Sequence, residues 1–569
     1  MSGRANAAIL FEPSAFDADR KKVMGRNVAG ASFLEGFVRH AEVDRYVGIG
    51  YRESYAPEFR RQIGAIAAGR PELAARPVEV FTPRDVKRMA AVGTLFIPDP
   101  QLTTFAMTRR QLDQRGYSLC GVTHTISSLK VMEVLCELLT GPVQSWDALI
   151  CTSRSVRDAV FRQQEHYADY LSQRLGVRPA SPVQMPVIPL GVDAERFARL
   201  GGDAEARASL RRRIGAEDGD TVVLFLGRLA FHAKAHPVPM YLGAQRAARR
   251  LGPGHGRIHL VQTGQFPNQV AEDGYRGGAQ RYCPDVAVHF LDGSDRVLSD
   301  ASWAAADVFV TLSDNIQESF GITPVEAMAA GLPCLVSDWD GYRDTVVDGE
   351  TGIRVPTWLP VPGCGAAIAD AYASDSLSYD LYIGYTSQMT AVDVPAIADA
   401  LETLVRDPGL RRRMGEAGRR RARTYYDWSV IVRAYQDLWT ELGDRRRSAP
   451  ELAPPSWQAR NPRLTDPFDV FAGHPGGALA DDVMVRLDPE APELDTLKAM
   501  PCNVFADNAM LSRSETDTLL RAVRDGGRTV SQCIATLPTD RRVRAARSLA
   551  WLAKYGVLIV GERDRGART

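Results

Sequence analysis

Residues 314–336 read DNIQESFGITPVEAMAAGLPCLV. Two carboxylates, Glu318 and Glu326, stand eight positions apart in it. The apolar run before it, 307–312, predicts a buried strand, and 333–337 predicts the next one. The residues between them predict a loop followed by a helix. That order is a βαβ unit whose loop lies at the carboxyl end of a strand, where open α/β sheets bind their ligands.

The loop's chemistry suits an anion beside hydroxyl groups. Thr323 is expected to cap the helix, with Pro324 at its first position, where a missing N–H costs nothing. The free N–H groups of that turn carry partial positive charge and would hold a phosphate. Gly321 permits close approach because it has no Cβ. Glu318 falls in the loop, within reach of a hydroxylated neighbour of the anion, and Glu326 at the helix's third position. A plainer alternative exists for one pair: Thr323-x-x-Glu326 also spells a capping box that only closes its own helix end. It leaves Glu318, Gly321 and the closing Gly331-Leu332-Pro333 unaccounted for.

The run from Glu318 through Pro333 resembles the Glu-x7-Glu signature of retaining GT-B glycosyltransferases, family 4, the group 1 glycosyl transferases. The resemblance implies an α/β chain of two Rossmann-like, doubly wound domains facing a cleft. It implies transfer of a sugar from a nucleotide-sugar co-substrate with retained configuration and no metal or other cofactor. It further implies that Glu318 holds sugar hydroxyls and Glu326 ribose hydroxyls, with Phe320, Gly321, Ile322 and Thr323 against the donor.

Working outward, a strand at 221–226 ends in Gly227-Arg228, and Lys234 follows six residues later. Two cations at the same sheet edge as the Glu318 loop can neutralise a diphosphate. A solvated loop is the ordinary alternative, and the resemblance favours the diphosphate, with Gly227 beside it. Earlier, a strand ending at Val122 is followed by His124. A histidine there faces the cleft or bonds locally at the surface; the resemblance implies a donor-sugar contact. Near the start, strand 7–11 precedes a polar loop running through 25–30 and a helix from 31 to 40. Gly30 is thereby expected in a loop that meets the donor.

Further strands at 44–49, 78–81, 94–97, 117–122 and 148–151, with helical stretches between, predict a parallel sheet. Those at 258–262 and 286–291 join 221–226, 308–312 and 334–337 in a second one. The expected divisions are 1–180 for an acceptor-side domain, 181–425 for a donor domain opened by the proline-rich extended linker 182–189, and 426–446 for a return helix packing on the first domain. A linker at 447–468 and a small, mainly helical appendix at 469–569 follow, with a winged-helix-like order of three helices and a strand.

A chain of 569 residues exceeds one core. Its 69 basic and 69 acidic side chains argue against a general nucleic-acid or membrane footprint. The Arg419–Arg421 run reads as a solvated face, with anionic lipid as the alternative partner. The eight cysteines form no Cys-x-x-Cys pair and predict reduced core thiols in a cytoplasmic protein, with membrane association the further expectation. No signal-like or membrane-spanning apolar segment is seen. The acceptor is unspecified: glycan, lipid or small molecule. Two rivals stand: a GT-B epimerase or phosphorylase, and a scaffold or nucleic-acid-binding protein acting through the appendix.

Overall fold

A computed structural model describes residues 5–16, 25–110, 113–450, 461–524 and 526–561. The chain divides into two compact units, Met1–Asn461 and Pro462–Thr569.

The first unit holds two six-stranded parallel sheets. One contains β1 (Ala8–Leu10), β2 (Tyr46–Ile49), β3 (Val78–Phe81), β4 (Thr94–Ile97), β5 (Ser118–Val122) and β6 (Ala148–Ile150), in the order β3-β2-β1-β4-β5-β6. The other contains β7 (Thr221–Leu226), β8 (Ile258–Gly264), β9 (Ala287–Asp292), β10 (Val308–Thr311), β11 (Cys334–Ser337) and β12 (Gly352–Val355), in the order β12-β11-β10-β7-β8-β9. Both are doubly wound, and the second reverses direction between β10 and β7. A sheet of this kind opens a crevice at the carboxyl ends of the two strands flanking the reversal. Arg228 follows β7 and Glu318 follows β10.

Several helices position the site: α1 (Gly25–His40), α2 (Leu129–Glu137), α3 (Arg154–Leu175), α4 (Ile322–Ala330), α5 (Ala366–Ala373), α6 (Tyr379–Gln388), α7 (Pro408–Arg421) and α8 (Trp428–Ser448). Helix α8 returns to the first sheet. Its Trp428, Tyr435 and Trp439 share a core with Phe33, Phe37 and Phe96 of that domain. Chain connections run side by side at the crossing, where Val192 bonds the backbone of Tyr426 and Trp428.

Three expectations are corrected. Gly30 is not in a loop: α1 begins at Gly25, and Gly30 lies where a Cβ would meet the Ala15 carbonyl oxygen at 2.3 Å. The glycine serves close packing of α1 on the Pro13–Phe16 turn; the part of the expected loop at 17–24 lies outside the described residues. The proline-rich 182–189 stretch is not free linker. It runs parallel to β6, with Leu149 N–H donating to Gln184 O at 2.8 Å and Cys151 N–H to Pro186 O at 2.9 Å. Its prolines are tolerated because an edge strand needs only its alternate N–H groups. Of the Arg419–Arg421 run, Arg419 donates to Ala330 O and Arg421 to the carbonyls of Asp344 and Thr345. The run is thus only in part a solvated face: Arg419 and Arg420 are exposed, Arg421 is half-buried, and Arg419 and Arg421 tie α7 to the domain of the second sheet.

The second unit has α9 (Arg513–Ala522), α10 (Val530–Ile534) and α11 (Arg542–Lys554) with an antiparallel sheet of β13 (Met484–Leu487), β14 (Arg528–Thr529) and β15 (Leu558–Val560), in the order β14-β13-β15. Val485, Leu519, Val530, Cys533, Leu549 and Leu552 form its own core.

Candidate active site

The Lys234 loop and the Glu318 loop are clipped together by their backbones. Ser313 Oγ donates to Lys234 O at 3.1 Å, Asn315 Nδ2 to His232 O at 2.6 Å, and His236 N–H to Asp314 Oδ2 at 3.2 Å. This brings Lys234 Nζ to 2.5 Å from Glu318 Oε2. The Glu318 side chain is only 11% exposed. Burial alone would raise its carboxyl, but the Lys234 ammonium and the Ser319 and Gly321 amides outweigh that and hold it below the usual carboxylate range.

Helix α4 starts two residues earlier than the sequence predicts. Its N-cap is Gly321 at φ 74°, with no side-chain cap. Thr323 is therefore the second helical residue, not the cap, and Glu326 the fifth, not the third. The Thr323–Glu326 capping box is absent. A side chain at 321 is excluded twice: by the left-handed φ, and because a Cβ would meet the Tyr342 ring at 1.8 Å. Tyr342, fully buried, bonds Thr311 Oγ1 at 3.2 Å and approaches Glu318 Oε2 at 3.4 Å. The first amides of α4, at Ile322 and Thr323, open the helix's positive end beside Lys234 and Glu318. Phe320 packs its ring into the core near Tyr426. Glu326 is partly exposed, and its apolar surroundings push it up to about 7 against the pull of Arg196 and Lys234.

Arg228, next to Gly227 at the end of β7, is exposed and forms no hydrogen bond or ion pair with the described residues. His124 is half-buried just past β5. Its loop reaches the domain of the second sheet: Ser127 Oγ lies 2.9 Å from Tyr379 Oη, and Leu129 N–H donates to Tyr372 Oη at 3.1 Å. Among the predicted residues, the structure brings Glu318, Lys234 and the Gly321–Thr323 turn together. It sets Gly30 within α1, packed on the Pro13–Phe16 turn.

Sequence reasoning missed a second carboxyl. Asp340, at φ 42°, sits in the turn after β11. Ser153 Oγ lies 3.4 Å from its Oδ1, and its Oδ2 is buried without a partner among the described residues. Burial, then the charge of Glu318, pushes Asp340 up to about 8. The N-terminus of α3 docks on the same turns. Ser153 Oγ donates to Ser319 O at 2.9 Å, and Arg154 pairs with Asp344 at 2.6 Å. The only signal for these residues was a turn-forming Asp338-Trp339-Asp340-Gly341, and nothing in it marks a partner 187 positions away.

Glu318 and Asp340 line one cleft of about 680 Å³ between the two domains of this unit. Separately, a lysine–carboxylate pair beside a helix's positive end, at the reversal point of a sheet whose β7 is followed by an exposed arginine, can bind a hydroxylated anion and stabilise charge that grows on it.

Comparison with known proteins fits this picture. Residues 206–358 match the family model for glycosyl transferases group 1. A phosphatidyl-myo-inositol mannosyltransferase of Mycobacterium leprae (strain TN) is 35% identical over 158 residues, 27% of this chain and 32% of that one. A D-inositol 3-phosphate glycosyltransferase of Corynebacterium glutamicum (strain R) is 27% identical over 263 residues, 46% of this chain and 53% of that one. The chain thus spans between a third and about half the length of these curated relatives. The crystal structure of Anabaena Alr3699/HepE, in complex with UDP and glucose, superposes with a TM-score of 0.50 at 16% identity, over 77% of this chain and 100% of that one. The two share the GT-B fold.

Proposed function

We propose, for a chain whose residues 206–358 belong to the glycosyl transferases group 1 family, that it moves a sugar from a nucleotide-sugar donor to a hydroxylated acceptor with retained configuration. The observation that carries this is the Lys234–Glu318 pair, 2.5 Å apart beside the open amide turn of α4 and at the sheet's reversal point.

In this reading the donor diphosphate sits on the α4 amides with Lys234 and Arg228 beside it. As the bond from the anomeric carbon to the diphosphate breaks, its electron pair passes to the leaving oxygen. Charge grows where these donors already point, which is where preorganised groups lower a barrier. The acceptor oxygen bonds the anomeric carbon on the face being vacated, and its proton leaves with the diphosphate. Fixed protein groups thereby supply the positive charge, and the route names no metal. Lys234, drawn toward the diphosphate, frees Glu318 to accept from sugar hydroxyls. Glu326 would meet the ribose.

The test is nucleotide release from a panel of nucleotide sugars by the purified chain and by Arg228→Ala and Glu318→Ala. Removing one such donor costs about a hundredfold or more in rate. Release from one donor, lost in both variants, is the expected result. Full activity in Glu318→Ala would overturn the proposal.

A further inference from the structure

The cleft that Glu318 and Asp340 line does not end at them. It continues along α3, where Ser155, Val156, Ala159, Gln163 and His166 face it at helical spacing. From Ser155 to His166 that stripe is roughly 16 Å long, at 1.5 Å per residue. Beside the carboxyl corner the walls are polar: Ser155 Oγ reaches the Asp340 carbonyl at 3.3 Å. Beyond it they turn apolar, with Met132 and Leu135 from α2, Val156 and Ala159 from α3, and Leu359 from the donor domain.

The apolar wall also runs out into solvent. Leu359 lies in a segment whose Trp358, Leu359 and Val361 are 55%, 55% and 72% exposed. Helix α5, just after it, buries no residue at all. Exposed apolar side chains continuous with one wall of a cleft mark a binding surface rather than ordinary scatter. Arg162 and His166 stand at that mouth, both exposed.

We infer that this cleft is the acceptor site and that its acceptor is an amphiphile. A hydroxylated head meets the Glu318–Asp340 corner, and an apolar chain runs outward along α3 to the Trp358–Val361 strip. This rests on the glycosyl-transfer reading above for what happens at the corner, but not for the shape or polarity of the channel. A purely polar acceptor would leave the water-facing part of this wall, at Met132, Ala159 and Leu359, wet. An apolar chain removes it from water, and each buried methylene adds to affinity.

The test is calorimetric titration of the full chain with n-octyl and methyl β-D-glucoside below the micelle concentration. The octyl compound is expected to bind at least about fifty-fold tighter, which corresponds to about 2.3 kcal/mol, or about three buried methylenes. Ala159→Trp, which fills the channel, should abolish that preference. Should Ala159→Trp fail to fold, Leu359→Asp on an exposed side chain makes the same test. Equal or absent binding of the two glucosides, or an octyl preference indifferent to both variants, overturns the proposal.

A second arm separates two sources of such a chain. Sedimentation with 70:30 phosphatidylcholine:phosphatidylglycerol vesicles, lost in Trp358→Ser/Val361→Ser, assigns it to a bilayer lipid. An octyl preference without vesicle binding assigns it to a dissolved amphiphile. Nucleotide release on the same samples keeps the two proposals apart. If release fails while the octyl preference holds, the transfer reading falls. If release holds and the preference fails, the amphiphile does.

Discussion

At the residue scale the most consequential side chain is Asp340. It holds a left-handed φ of 42°, unusual for any residue but glycine, asparagine or aspartate. It is also half-buried beside Glu318, with one carboxyl oxygen shielded from water and unpartnered among the described residues. The charged groups around it are Glu318 with its partner Lys234, Asp344 with its partner Arg154, and Asp338 with Arg343 and Arg354. Burial first, then the charges of Glu318 and Asp344, raise Asp340 to about 8, against the Gly341 amide and the Ser153 hydroxyl. The sign follows from proton linkage. A carboxyl near 4 when unfolded and about 8 when folded binds more protons in the folded state across that interval. Stability therefore falls as pH rises through it. Asp340→Asn keeps the size and tolerates the φ but carries no charge. The variant is expected to gain stability over the parent at pH 8 and much less at pH 5. Denaturant melts at the two pH values check this, and an equal change at both would mean that the charge at 340 is not what the fold pays for.

At the scale of elements, α8 carries the strongest packing argument. Trp439 is fully buried with Phe37 and Phe96, ring centroids 6.0 and 6.2 Å away, and Tyr435 packs on Phe33 at 5.5 Å. Trp439→Ala should cost about 3–5 kcal/mol, the usual loss for a large buried aromatic. A shift in urea midpoint without a change in slope would show it. A cost below 1 kcal/mol would mean that α8 is dispensable to the first domain's core. The same elements explain what was legible in the sequence. The runs at 221–226 and 308–311 read as strands because helices cover both faces of the sheet, leaving no polar alternation. The Glu318 loop was legible because one short stretch holds its chemistry, and Lys234 because it follows a clear strand. The start of α1 was not. Gly30 and Gly36 argue against a helix by propensity, yet tertiary contacts demand them: a Cβ at 36 would meet the Trp428 ring at 2.5 Å. The cap of α4 was misplaced for a related reason. Thr323 has the right chemistry for a cap, but the Tyr342 ring and the turn at 340–342 fix the helix start at Gly321. Strands β13 and β14 escaped because they are short and half-exposed, so their alternation is too brief to read.

At the scale of the whole molecule the two units divide the labour. Every residue assigned to the donor or the acceptor lies within Met1–Asn461. The second unit has a core of its own, and its arginines have local work to do. Arg541 pairs with Glu515 at 3.2 Å, and Arg547 donates to Val543 O. Those bonds favour a structural or protein-contact role for this unit over base readout, since no side-chain pattern there specifies a base. A chain ending at residue 450 is therefore expected to fold and to release nucleotide from the same donor at the full chain's rate. If chemistry resides in the first unit, the truncated chain and Glu318→Ala must give opposite results, one active and one not. The reverse pair, an inactive truncation with an active Glu318→Ala, would move the function to the second unit and leave the Lys234–Glu318 pair a structural ion pair. Because both chains can be assayed with one donor in one experiment, the comparison separates a transferase with an appendix from a scaffold built on a transferase fold.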